Sequence, residues 1–98
     1  MSLLARRLTR AAAAAGATVR VEAHTSRAWA SATFTGTRHA LTLTGAASPA
    51  LDAWLAGLRD AEFDTARELV ADLALVERSG TGGAVVARIE ALTVDVGG

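Results

Sequence analysis

Of the 98 residues, 24 are alanine and only 26 are Val, Ile, Leu, Met, Phe or Trp. A hydrophobic fraction of 51% therefore conceals a scarcity of large apolar side chains. Each buried large side chain contributes roughly 1.5–3 kcal/mol and an alanine far less. The chain can form one domain, residues 1–98, but its core must be thin. A thin core gains from a partner surface, and a homodimer is the expected state.

The apolar residues follow two periodicities. Leu4, Leu8, Ala11 or Ala12, and Ala15 form one stripe of a helix predicted from Ser2, its N-cap, to Ala15, with Gly16 just beyond its end. Residues 18–45 then alternate. Val19, Val21 and Ala23 point one way and Arg20, Glu22 and His24 the other. Ala28, Ala30, Ala32 and Phe34 oppose Trp29, Ser31, Thr33 and Thr35, and His39, Leu41 and Leu43 oppose Ala40, Thr42 and Thr44. Gly36-Thr37 fits a two-residue hairpin turn with glycine first, pairing Phe34 with His39, Ala32 with Leu41 and Ala30 with Leu43. The alanine row of that second strand leaves room for a helix to come down close onto it.

A second helix is predicted from Ser48, with Pro49 at its first position and Leu51, Trp54, Leu55 and Leu58 as its stripe, ending near Arg59–Glu62. Residues 66–78 fit either a helix, with Thr65-x-x-Glu68 as a capping box, or a strand with Leu69, Ala71, Leu73 and Leu75 on one row. The strand is preferred, because Val85, Ala87, Ile89 and Ala91 form a matching row beyond the glycine-rich Ser79–Gly83. A three-residue loop, Ser79–Thr81, sets Asp72 opposite Arg88. The predicted fold is α+β, a two-layer sandwich in the order α-β-β-β-α-β-β, with an antiparallel sheet and both helices on one face.

The net charge is zero, yet the charges are segregated. Residues 1–45 carry six arginines (Arg6, Arg7, Arg10, Arg20, Arg27, Arg38) against Glu22, whereas residues 46–98 carry nine acids against four arginines. The split points to a nucleic-acid face or to complementarity within one fold or one dimer. The order α-β-β-β-α over residues 1–60 is similar to that of a double-stranded-RNA-binding domain, which grips phosphates with a lysine-rich start to its second helix. Here that start is Ser48-Pro49-Ala50-Leu51-Asp52, uncharged or acidic. Overall neutrality also removes the usual electrostatic drive, so nucleic-acid binding is disfavoured and complementarity is preferred.

Lacking cysteine, the chain can have neither disulfides nor thiolate catalysis. Lys, Asn, Gln and Tyr are absent too, and Ile89 is the sole isoleucine; Lys, Asn, Tyr and Ile have AT-rich codons, so a GC-rich bacterium is the expected source. No apolar run approaches the ~20 residues of a membrane span, and Ala11–Ala15 is too short for a secretory signal. A cytoplasmic protein is expected. Asp60, Glu62 and Asp64 repeat like the first ligands of a calcium loop, but the glycine and glutamate such a loop needs are replaced by Thr65 and Ala71. Gly80-Thr81-Gly82-Gly83 leads into β-branched Val85-Val86 rather than a helix, as a hairpin loop would and a phosphate loop would not. His24 and His39 are predicted on opposite faces, and no nucleophile elbow accompanies them. No catalytic, cofactor or metal residues are assigned.

Two surfaces remain. The first is the sheet face predicted away from the helices, with Trp29, Ser31, Thr33, Thr35, Thr42 and Thr44, a candidate dimer interface; the last-strand edge near Thr93–Val96 is its competitor. The second is a candidate pocket between helices and sheet near His39 and Trp54. The first makes the protein a non-enzymatic protein-contact module; the second makes it a small-ligand-binding domain or a minor enzyme.

Overall fold

Caps in the sequence place both helices. Ser2 Oγ accepts a hydrogen bond from the Ala5 N–H at 3.1 Å and opens α1 (Leu3–Ala14). Gly16, at φ 90°, supplies the left-handed turn that ends it. Ser48 Oγ accepts from the Leu51 N–H at 3.0 Å, and Pro49 occupies the first position of α2 (Pro49–Ala56). The computed structural model describes residues 2–60 and 68–96. Its four strands are β1 (Val19–Ala30), β2 (Thr35–Ala46), β3 (Glu68–Ser79) and β4 (Ala84–Asp95), and a short 3-10 turn (Leu58–Asp60) follows α2. Each strand is 12 residues long, about twice the common length.

The fold is α+β with one antiparallel sheet, strand order β1-β2-β4-β3. Leu4 and Leu8 of α1, Leu51 and Leu55 of α2 and the following Leu58 bury with Leu41, Leu43, Leu73, Val85 and Ile89 in one cluster. Both helices therefore cover one face, and the face carrying Thr42, Thr44, Arg88 and Glu90 is open. As expected, Val85, Ala87, Ile89 and Ala91 form one inward row.

Three parts of the predicted order are corrected. Residues 19–30 form a single strand, so the sheet has four strands and the likeness in element order to an RNA-binding domain disappears. The first turn is Ser31–Phe34, not Gly36-Thr37: the Ser31 N–H donates to the Phe34 carbonyl, and Ser31 Oγ accepts from the Phe34 N–H at 3.1 Å. Ala30 pairs with Thr35, and Ala28 and Ala30 stay accessible instead of lying under a helix. The second hairpin exists, but its loop spans Gly80–Gly83, and Arg88 pairs with Glu77, not Asp72. Thr93–Asp95 lie on β4, an interior strand, so the proposed last-strand edge is no edge; β1 and β3 are the edges.

Three bulges explain most of this. β1 has an extra residue between Val21 and Ala23, and β3 has one between Val70 and Asp72 and another between Leu75 and Glu77. Each reverses which residues face the helices. In β3, Val70, Leu73 and Leu75 face inward, while Leu69 and Asp72 are turned to the open face. The second bulge turns Arg78 inward to pair with Asp52 of α2.

Gly36 serves close approach rather than a turn. A Cβ there would collide with the Thr93 carbonyl oxygen and lie 2.7 Å from Trp29 Nε1. The Trp29 indole lies over this gap and donates to that carbonyl at 3.2 Å. Gly36→Ala is expected to lower the free energy of unfolding in urea by about 1–3 kcal/mol. Gly57→Ala, whose Cβ would meet no atom closer than 3.5 Å, is expected to change it far less.

Candidate functional site

The open face is built from the outward residues of all four strands. Of the predicted interface set, Trp29, Thr42 and Thr44 lie on it. Ser31 and Thr33 belong to the turn, and Thr35 falls in the opposite phase, donating to Asp95 Oδ2 at 3.0 Å. The set is therefore not one surface. What the face does carry is a row running Arg27, Arg38, Leu92 and Asp72 across β1, β2, β4 and β3. The next row runs Thr25, Ala40, Glu90 and Ala74. A groove of about 400 Å³ crosses these rows, with Arg27, Arg38, Asp72 and Glu90 in its lining.

Electrostatics on this face are unbalanced from edge to edge. Arg27 and Arg38 stand directly opposite one another, an unfavourable like-charge pair. The ion pairs among the described residues are Arg20–Glu22 at 2.7 Å, Arg88–Glu77 at 3.0 Å and Arg78–Asp52. Every one joins residues of the same half of the chain. The bonds from Arg20 and Thr44 hold the exposed Glu22 carboxyl below its usual range. Arg27, Arg38, Asp72 and Glu90 take part in no ion pair among the described residues.

On the covered face, the bulge at Glu22 overturns the predicted divergence of the histidines. His24 lies one ladder row from His39 on the same side of the sheet, and His24 Nε2 is 2.9 Å from His39 Nδ1. The ring centroids are 5.2 Å apart, little more than the N···N distance plus two ring radii, so the nitrogens point at one another. His39 Nε2 lies 3.2 Å from Thr93 Oγ1, which donates to the Thr37 carbonyl at 3.2 Å. The chain links His24, His39, Thr93 and the Thr37 carbonyl, and the tautomer of His39 sets the direction in which its hydrogen bonds run.

Thr93 is 1% exposed and His39 8%, and the chain satisfies both. Trp54 lies over Val19, Gly45 and Val85, towards the other end of the sheet from His39, so the structure does not bring the two pocket candidates together. Of the calcium-like acids, Glu62 and Asp64 lie outside the described residues. Among the described residues no three His, Asp or Glu side chains converge. No helix among them is long and apolar enough to cross a membrane.

Burial pushes the His24 imidazole below its ordinary value. Burial, then the neighbouring His24, does the same for His39, against an opposing pull from Glu68. Both groups therefore bind protons less readily when folded. Their contribution to stability is complete above the ordinary histidine value of about 6.5 and falls as the pH drops below it towards the folded-state values. Urea unfolding between about pH 7 and pH 5 is expected to show stability falling with pH, and His39→Gln is expected to flatten that slope. An unchanged slope in the variant would contradict the buried neutral pair.

No protein-family model, curated protein or solved structure matches this chain.

Proposed function

We propose that the protein is a contact module that forms a homodimer through the open face of its sheet. What supports this is a complete sheet face that neither helix covers, on which Trp29, Val86, Leu92 and Val94 are only half-buried and Leu69 is 45% exposed. On this face an apolar row of Trp29, Val94 and Leu69 lies at one end, beside the row that carries Arg27, Arg38, Leu92 and Asp72. An uncovered face with a Trp and other large apolar side chains is suited to an interface. The absence of cysteine and lysine accords with a cytoplasmic protein of a GC-rich bacterium.

A small-ligand-binding role is the second reading, and one observation favours it: the groove lined by Arg27, Arg38, Asp72 and Glu90. It would receive a ligand carrying both a carboxylate and an ammonium group. This site is on the open face, not between helices and sheet.

Light scattering is expected to give twice the 10.0 kDa mass of one chain. Leu69→Asp, on an exposed side chain that the core does not need, is expected to weaken the dimer by about tenfold or more. Trp29→Ser is expected to do the same, together with some loss of stability from its lost bond to Thr93. A monomer at the highest soluble concentration would refute the dimer. If glutamate then raised the melting temperature and Arg38→Ala abolished the rise, the face would belong to a ligand.

A further inference from the structure

The open-face dimer proposed above leaves the placement of the second copy undefined, and the ladder registers restrict it. Basic residues occupy one side of the groove, Arg27 on β1 and Arg38 on β2, and acids the other, Glu90 on β4 and Asp72 on β3. Arg27 and Asp72 stand at the two ends of one row, three strand intervals or about 14 Å apart, too far to pair within one chain.

We infer that the partner is a second copy of this chain related by a two-fold axis that runs along the strands between β2 and β4, so that Arg27 of one copy meets Asp72 of the other. Such an axis lays β1 on β3 and β2 on β4 while keeping each row in register. Arg27 then faces Asp72 and Arg38 lies beside Glu90, both between copies. In the neighbouring row Trp29 stands opposite Leu69 in register, and Val94 projects towards the Trp29 indole where it lies over Gly36. The alternative, a two-fold across the strands, lays β1 on β1 and sets the basic half of the groove on the basic half, which repels.

The area is adequate. Four strands and five outward rows make a face about 19 Å by 33 Å, so two copies bury roughly 1,200 Å², the lower end of specific interfaces.

The chain contains no cysteine, so single cysteines can report the axis. Thr25 and Ala74 end the central row on the two edge strands. Thr25→Cys and Ala74→Cys chains are unfolded together in urea, refolded and treated with a bis-maleimide spanning about 10 Å, the spacing of packed sheets. The expected product is a cross-linked pair in the mixture and none from either variant alone. Cross-linking of Thr25→Cys with itself would overturn the axis and leave the open-face dimer standing. A dimeric mass with no product in any sample would place the dimer on another surface and remove both proposals, as would a monomeric wild type. In parallel, Arg27→Glu is expected to weaken the dimer by at least about tenfold, and Arg27→Glu combined with Asp72→Arg to recover most of it. Failure of the double variant to recover, with a native circular-dichroism spectrum, would equally overturn the pairing.

Discussion

The side of the sheet on which each residue of β1 lies is set by one extra residue, Glu22. Val19 and Val21 face the helices; after the bulge, His24, Ser26 and Ala28 take that phase, and Thr25, Arg27 and Trp29 are turned outward. With strict alternation Arg27 and Trp29 would point beneath the helices and His24 into water. His39 Nδ1 would then be buried without its hydrogen-bond partner, a cost of about 1–3 kcal/mol. The bulge is itself held on the open side, where Glu22 accepts from Arg20 at 2.7 Å and from Thr44 at 3.0 Å. A surface carboxylate thus fixes both the polar chain on the covered face and the charge row on the open one.

The bulges also bear on how the molecule can associate. An unbroken edge strand offers a template for pairing with another chain, and bulges blunt it. All three irregularities of this sheet lie on β1 and β3, the two edges, whereas β2 and β4 pair regularly over eleven residues. Edge-to-edge extension is disfavoured and the open face is left as the surface with most to gain from a partner. The same bulges put Leu69 and Asp72 on that face from β3, opposite in the row sense to Trp29 and Arg27 from β1. Both edges are therefore modified in the way that populates the face.

Much of the fold was legible because its signals are local. Ser2, Gly16, Ser48 and Pro49 act within a turn or two of their own position, and the Val85, Ala87, Ile89 and Ala91 row needs nothing but alternation. The bulges were not legible, because an extra residue is stabilised by partners on another strand, as Glu22 is by Thr44. The predicted row of Leu69, Ala71, Leu73 and Leu75 failed at Ala71 for that reason. Gly36 misled differently: glycine answers equally to a turn and to a close approach, and the indole that needs the space comes from a strand predicted to pair in another register. Among the candidate residues, Trp29, Thr42 and Thr44 were placed on the correct face, whereas the histidine pair lay hidden behind the bulge.

Charge segregation was visible as a count, but its meaning depends on which charges already have partners. The three ion pairs of the described residues are each formed within one half of the chain, so the asymmetry is not neutralised across the fold by them. Those in no ion pair among the described residues that line one groove are Arg27 and Arg38 at one side and Asp72 and Glu90 at the other. An isolated monomer gains nothing from setting Arg27 against Arg38, and a thin core gains nothing from leaving Trp29, Leu69, Leu92 and Val94 on the open side. Both expenses fall on the same face. In the proposed dimer both are recovered by one operation, because the rotation that carries basic residues onto acidic ones also carries the indole onto Leu69 and closes the apolar surface between two sheets.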